Sequence, residues 1–181
     1  MDDLDAEKTL KEADLLHSET EVEAALDSMA LLINDRLAGT DPVIFCVMNG
    51  GIIPAGMLLP RLTFPFKLDY LHATRYREKT SGHELKWLKS NEVNISGREV
   101  LVIDDILDEG YTLEAIVEHC MQQGARRVYT AVLADKKHDR GNHFEADFVG
   151  LQVEDRYVFG MGMDYKGYLR HLPAIYAVKG L

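Results

Sequence analysis

Apolar residues in this chain fall into short blocks separated by glycine and acidic turns. The run Val100, Leu101, Val102, Ile103 reads as a strand buried on both faces. Residues 42–48, 66–72 and 127–134 read as further strands, the last through Val128, Tyr129, Ala131, Val132 and Leu133. Residues 148–151 form a shorter strand, residues 157–162 are strand-like, and residues 174–178 close the chain. Helical spacing appears after a capping box over Ser18, Glu19, Thr20 and Glu21. There Val22, Ala25, Leu26, Met29, Leu32 and Ile33 recur to about Leu37, and Gly39 ends the helix. A helix follows Gly50 and Gly51 through Ala55 to Leu59, and another spans 113–123 with Gly124 as its cap. Leu4, Leu10 and Leu15 suggest one more short helix within residues 1–16. Residues 75–94 are polar with little period, the pattern of a long functional or mobile loop.

Strands alternate with helices from residue 40 to 134, which predicts an α/β fold: a parallel twisted sheet flanked by helices. The strand-rich remainder reads as a small hood on that sheet. We expect a single domain of 181 residues, with a core at about 40–134 and a hood of about 135–181 plus the N-terminal segment. No apolar run approaches the roughly 20 residues of a membrane helix, and the acidic start, Met1-Asp2-Asp3-Leu4-Asp5, is unlike a signal peptide. Cys46 and Cys120 lie in apolar settings and suit buried thiols in a reducing cytoplasm. Net charge is −10, and residues 1–28 carry ten acids against two lysines. An acidic chain of this kind does not suggest nucleic-acid binding, and the N-terminal end reads as a solvated acidic face.

The most informative chemistry follows the strand at 100–103. Asp104 and Asp105 end it, the turn Asp108-Glu109-Gly110-Tyr111-Thr112 comes next, and a helix begins at Leu113. Turn amides and a helix start bind phosphate, while neighbouring carboxylates face hydroxyls and a cation. Ligands of open parallel sheets sit outside the carboxyl ends of the strands. Residues 49–51, 74–76, 104–112 and Lys136 all follow strands, so they should converge on one edge.

The segment 100–113 resembles the phosphoribosyl-diphosphate (PRPP) signature of type I phosphoribosyltransferases, carried by Asp104, Asp105, Asp108, Gly110 and Thr112. Glu109 stands where that family usually has threonine, and its charge should point to solvent. The tail resembles the hypoxanthine-guanine branch: Asp147-Phe148-Val149-Gly150, then residues 155–165 ending in Asp164-Tyr165, then Tyr168-Leu169-Arg170.

The resemblance implies roles for particular residues. Asp104 and Asp105 take the ribose hydroxyls and lie near a Mg²⁺ ion, and Asp164 lies near that ion, the diphosphate and the exocyclic edge of the purine. Asp108 is the general base, and the 5′-phosphate sits on Glu109, Gly110, Tyr111 and Thr112. Asn49, Gly50 and Gly51 match the diphosphate loop, where many members have lysine in place of Asn49. Arg75 and Tyr76 lie where the family's mobile loop has a Ser-Tyr pair, and Arg170 matches a diphosphate-binding arginine. Lys136 matches the lysine that bonds the purine 6-oxo group, Tyr157 the aromatic that stacks on the base, and Val158 the backbone contact to its edge. The implied reaction is purine salvage, joining hypoxanthine or guanine to PRPP, in a homodimer or homotetramer. Two other readings stay open: the same fold acting on xanthine or another base, and a non-catalytic nucleotide-sensing regulator. The intact acids Asp104, Asp105 and Asp108 favour the enzyme.

Overall fold

A computed structural model describes residues 2–75, 85–138 and 144–180. In chain order its elements are α1 (Asp2–Glu12), β1 (Asp14–His17), α2 (Glu19–Leu37), β2 (Val43–Met48), α3 (Ile52–Leu58) and β3 (Lys67–Arg75). They continue with β4 (Leu85–Lys89), β5 (Glu99–Leu107), α4 (Tyr111–Gln122), β6 (Arg127–Lys137), β7 (Phe148–Glu154), β8 (Val158–Phe159) and β9 (Ile175–Ala177). Among the described residues the strands form a six-stranded sheet, ordered β4-β3-β2-β5-β6-β7, and a three-stranded sheet, β1-β9-β8. In the larger sheet all pairings are parallel except that of the edge strand β4 with β3.

Burial explains the order. Val43, Ile44, Val100, Leu101, Val102, Ala131 and Val132 have no exposed surface, as strands covered on both faces require. One face carries α2, whose Val22, Leu26, Met29, Ile33 and Leu37 pack over Leu101, Ile103 and Leu133. The other carries α4, with Leu113, Ile116 and Cys120 against Val100, Val102 and Val132. Ser18 caps α2 as expected: its hydroxyl accepts from the Glu21 amide, while the Glu21 carboxylate accepts from the Ser18 amide. Gly39, at φ +79°, follows the helix end. Both cysteines are buried free thiols, and burial pushes the pKa of each up to about 12.

Three expectations need correction. The large sheet continues past residue 134, because β7 joins it beside β6. The supposed loop at 75–94 contains β4, which pairs antiparallel with β3. Within residues 1–16, α1 stops at Glu12 and a strand begins at Asp14. That strand pairs with β9, so the hood sheet joins the two ends of the chain.

Candidate active site

Parallel register brings the strand ends together. Cys46 of β2 lies beside Ile103 of β5, so residues 49–51 leave the sheet next to the acidic pair. Leu107 of β5 lies beside Asp135 of β6, and Lys136 therefore reaches Asp108. The Lys136 Nζ donates to Asp108 Oδ2 at 3.0 Å.

Gly50 and Gly51 are required by close approach. A Cβ on Gly50 would lie 2.1 Å from Asp105 Oδ2, and one on Gly51 would lie 2.7 Å from the carbonyl oxygens of Val47 and Ile103. The hood closes on the same loop. Gly162 has φ +100°, and a Cβ there would lie 2.0 Å from the Gly50 carbonyl oxygen. Asp105, the glycine loop and the hood are thus stacked in contact.

Two adjoining cavities share Asp105, Ile106 and Asp108. One, of about 210 Å³, is lined by Asp104, Asp105, Asp108, Gly110 and Thr112. Gly110, at φ +83°, opens α4 with no side-chain cap, so the start of that helix, where backbone N–H groups lack intrahelical acceptors, borders this cavity. The second, of about 280 Å³, is lined by Asp105, Asp108, Lys136, Tyr157, Val158 and Asp164. Tyr157 is 42% exposed, and its ring meets Tyr165 edge-on with centroids 5.6 Å apart. Tyr157 thus contributes to the cavity wall while much of its surface reaches solvent.

The charges of the site are set by burial and pairing. Burial pushes the Asp104 carboxyl well above the ordinary carboxylate range, and the Asp105 charge adds to this. Burial also raises Asp105, against the hydrogen bonds it accepts and the Arg170 guanidinium. Two such acids ionise readily only beside a cation. Asp108 differs. Burial acts upward on it, but Lys136 and His138 outweigh that and hold it below the usual range. Asp108 is therefore ionised, with Lys136 on one carboxylate oxygen and His138 on the other.

Other expected residues are placed less directly. Arg170 donates from Nη1 to the Gly162 carbonyl oxygen at 2.5 Å and pairs through Nη2 with Asp164 at 2.7 Å. Asn49 is exposed at the loop, and Val158 is buried in β8. Glu109 is partly exposed in the turn before α4. Arg75 ends β3, and Tyr76 lies outside the described residues. His138 escaped the sequence reading. Its Nε2 lies 2.6 Å from Asp108 Oδ1. The available signal was its spacing of two from Lys136, which puts both on one face of a strand end.

A parallel sheet offering an acidic pair, a glycine loop and a helix start at its carboxyl edge defines a sugar-phosphate-binding α/β protein. Residues 12–166 match the phosphoribosyl transferase domain family. A hypoxanthine-guanine phosphoribosyltransferase of Bacillus subtilis is 30% identical over 166 residues, covering 91% of this chain and 92% of the relative. One from Aquifex aeolicus is 30% identical over 172 residues, covering 93% and 96%. The crystal structure of a hypoxanthine-guanine phosphoribosyltransferase from Bacillus anthracis superposes with a TM-score of 0.86 at 30% identity, covering 91% of this chain and 98% of that one. The chain belongs to the phosphoribosyl transferase family and has the fold of its type I members.

Proposed function

We propose that the chain transfers the 5-phosphoribosyl group of PRPP to N9 of hypoxanthine or guanine, releasing diphosphate and forming IMP or GMP. The observation that carries this reading is the pairing of Lys136 with Asp108 beside Tyr157. That trio is a donor for a 6-oxo group, a base and a stacking ring, and it adjoins a cavity suited to a ribose phosphate. The names of the relatives support the same purine-salvage activity.

Each residue has a task in this reaction. The 5′-phosphate rests on backbone groups of Glu109, Gly110, Tyr111 and Thr112, with the Thr112 hydroxyl as a further donor. Asp104 and Asp105 hold the ribose hydroxyls. Bond breaking at C1 runs ahead of bond making, so positive charge grows on the sugar and the buried carboxylates steady it. Diphosphate leaves toward Asn49, Gly50 and Gly51, with Arg170 as its cation. Asp108 takes the N7 proton as N9 attacks, and Lys136 holds the 6-oxo group. Tyr157 stacks on the base and Val158 meets its edge through backbone groups. Arg75 and Tyr76 keep the closing-loop role that the resemblance gives them.

A Mg²⁺ ion, when bound, would supply charge neutralisation at the diphosphate. Asp104, Asp105 and Asp164 would hold it, and their oxygen atoms suit a hard cation. Among the described residues no group of three or more His, Cys, Asp and Glu converges as a metal cage.

We assign the working form as a homodimer or homotetramer, with PRPP and a purine base as its small-molecule partners. The buried free thiols support a cytoplasmic setting. No helix among the described residues is long and apolar enough to cross a membrane.

The direct test supplies PRPP and Mg²⁺ with hypoxanthine, guanine, xanthine or adenine in turn and follows nucleotide formation. IMP and GMP are expected, with no AMP. Turnover of adenine in preference to the 6-oxopurines overturns the assignment, and so does the absence of any nucleotide.

A further inference from the structure

We propose that His138 is a positioning residue for this reaction, its ring N–H holding one oxygen of Asp108 so that the other is presented to the purine. The inference rests on Asp108 being the general base. Asp108 has two carboxylate oxygens and a separate donor on each: Lys136 Nζ on Oδ2 at 3.0 Å and His138 Nε2 on Oδ1 at 2.6 Å. The two donors are not equivalent. The His138 side chain is 5% exposed and that of Lys136 12%. Lys136 also lines the base cavity of about 280 Å³, and His138 does not.

An entering 6-oxopurine competes for the Lys136 ammonium. As the lysine turns to the base, Oδ2 is released to face N7, while the short, buried imidazole keeps the carboxylate from rotating. Asp108 is ionised and accepts only, so the bonded imidazole nitrogen carries the proton. The proton balance needs no further carrier. The N9 lone pair forms the bond to C1, the C1–O bond breaks with its electron pair leaving on diphosphate, and the N7 proton passes to Asp108 Oδ2. His138 remains a donor throughout.

Several charged groups surround Asp108. Lys136 and His138 face it from β6 and its end, Asp105 shares its cavities from β5, and Asp164 faces it from the hood. In the cavity on the other side of Asp108, Lys137 pairs with Asp135 at 2.5 Å, and Glu145 also lines the wall. His138 helps hold the Asp108 carboxyl below its usual range, so losing it lets that carboxyl rise.

Single-turnover rates with PRPP and hypoxanthine across the acid range test the idea. The comparison is between wild type, His138→Ala, His138→Leu and His138→Gln, with melting temperatures as folding controls. For the Ala and Leu variants we expect a rate about tenfold lower, as displacement of a catalytic group entails. KM for both substrates should stay within about twofold, and the acid limb should move to higher pH. The Gln variant, whose side-chain amide reaches the Nε2 position, should recover most of the rate and the limb. A donor-free variant with the wild-type rate and an unmoved limb overturns the proposal. Equal loss in all three variants without a shift of the limb also overturns it. A wild-type protein that forms no nucleotide would instead sink the functional reading on which the inference stands.

Discussion

Asp108 and Lys136 form a bonded pair, and with the roles proposed for them, proton acceptor and donor to the base, their substitutions should differ in kind. Asp108→Asn removes the proton acceptor and is expected to slow a single turnover by about 10²–10⁴-fold, with little change in KM. Lys136→Ala should cost hypoxanthine far more than PRPP binding, because a site built to donate to an oxygen loses its discrimination. The same change should move the acid limb upward, since the ammonium is one of the groups holding Asp108 low. Rate–pH profiles with hypoxanthine check both outcomes, and wild-type kinetics from Lys136→Ala would remove it from the base site. Asp104, Asp105, Asp108, Gly110 and Thr112 were legible in the sequence because they lie within nine consecutive residues, from the end of β5 to the start of α4. His138 was not, because its partner lies 30 positions away and only strand pairing joins them. The pairing of Arg170 with Asp164 was hidden for a similar reason, since the hood's reverse turns bring them together.

The misread stretch at 75–94 shows how an edge strand escapes a periodicity argument. Residues 85–89 read Leu-Lys-Trp-Leu-Lys, and the polar surroundings masked them. Trp87 packs on the α4 side of the sheet and lies 4.3 Å from the His119 ring, centroid to centroid. Asp69 of β3 pins the chain at the end of β4. It accepts from the backbone N–H groups of Tyr70, Glu92 and Val93 and from the Lys89 ammonium. Burial acts upward on this carboxyl, but those donors prevail and hold it below its usual range. A lowered folded-state value stabilises the protein above the unfolded value, and that stability is lost as pH falls through the folded one. Asp69→Ala should therefore cost about 2–3 kcal/mol near neutral pH, with the deficit shrinking in acid. Denaturant unfolding of both proteins at several pH values checks this; an undiminished deficit in acid would contradict the charge argument.

Across the molecule, the hood depends on both chain ends. β1 supplies the partner of β9, Asp14 pairs with Arg156 at 2.6 Å, and Asp5 accepts from Lys166 at 2.6 Å and from the Tyr165 hydroxyl. Tyr165 in turn abuts Tyr157. Deleting residues 1–17 should raise KM for hypoxanthine more than KM for PRPP, because the proposed base wall of Tyr157, Val158 and Asp164 belongs to the hood and the proposed phosphate turn to the core. Equal effects on both substrates would show that the hood stands without its N-terminal strand. Gly162→Ala, which would drive a Cβ into the Gly50 carbonyl, should weaken both substrates together, as a change at the contact between hood and core must. The alternation of apolar runs with helical patterns established a parallel α/β sheet, because runs such as Val100 to Ile103 can be buried only between two layers. The acidic stretch likewise marked one wall of the cavity at the sheet's carboxyl edge, since residues close in sequence remain close in space. Tertiary structure alone brought Asp14 beside Ala177, laid the strand Leu85–Lys89 along the sheet edge, and joined His138 to Asp108. Those contacts depend on register between distant segments, which no local spacing encodes.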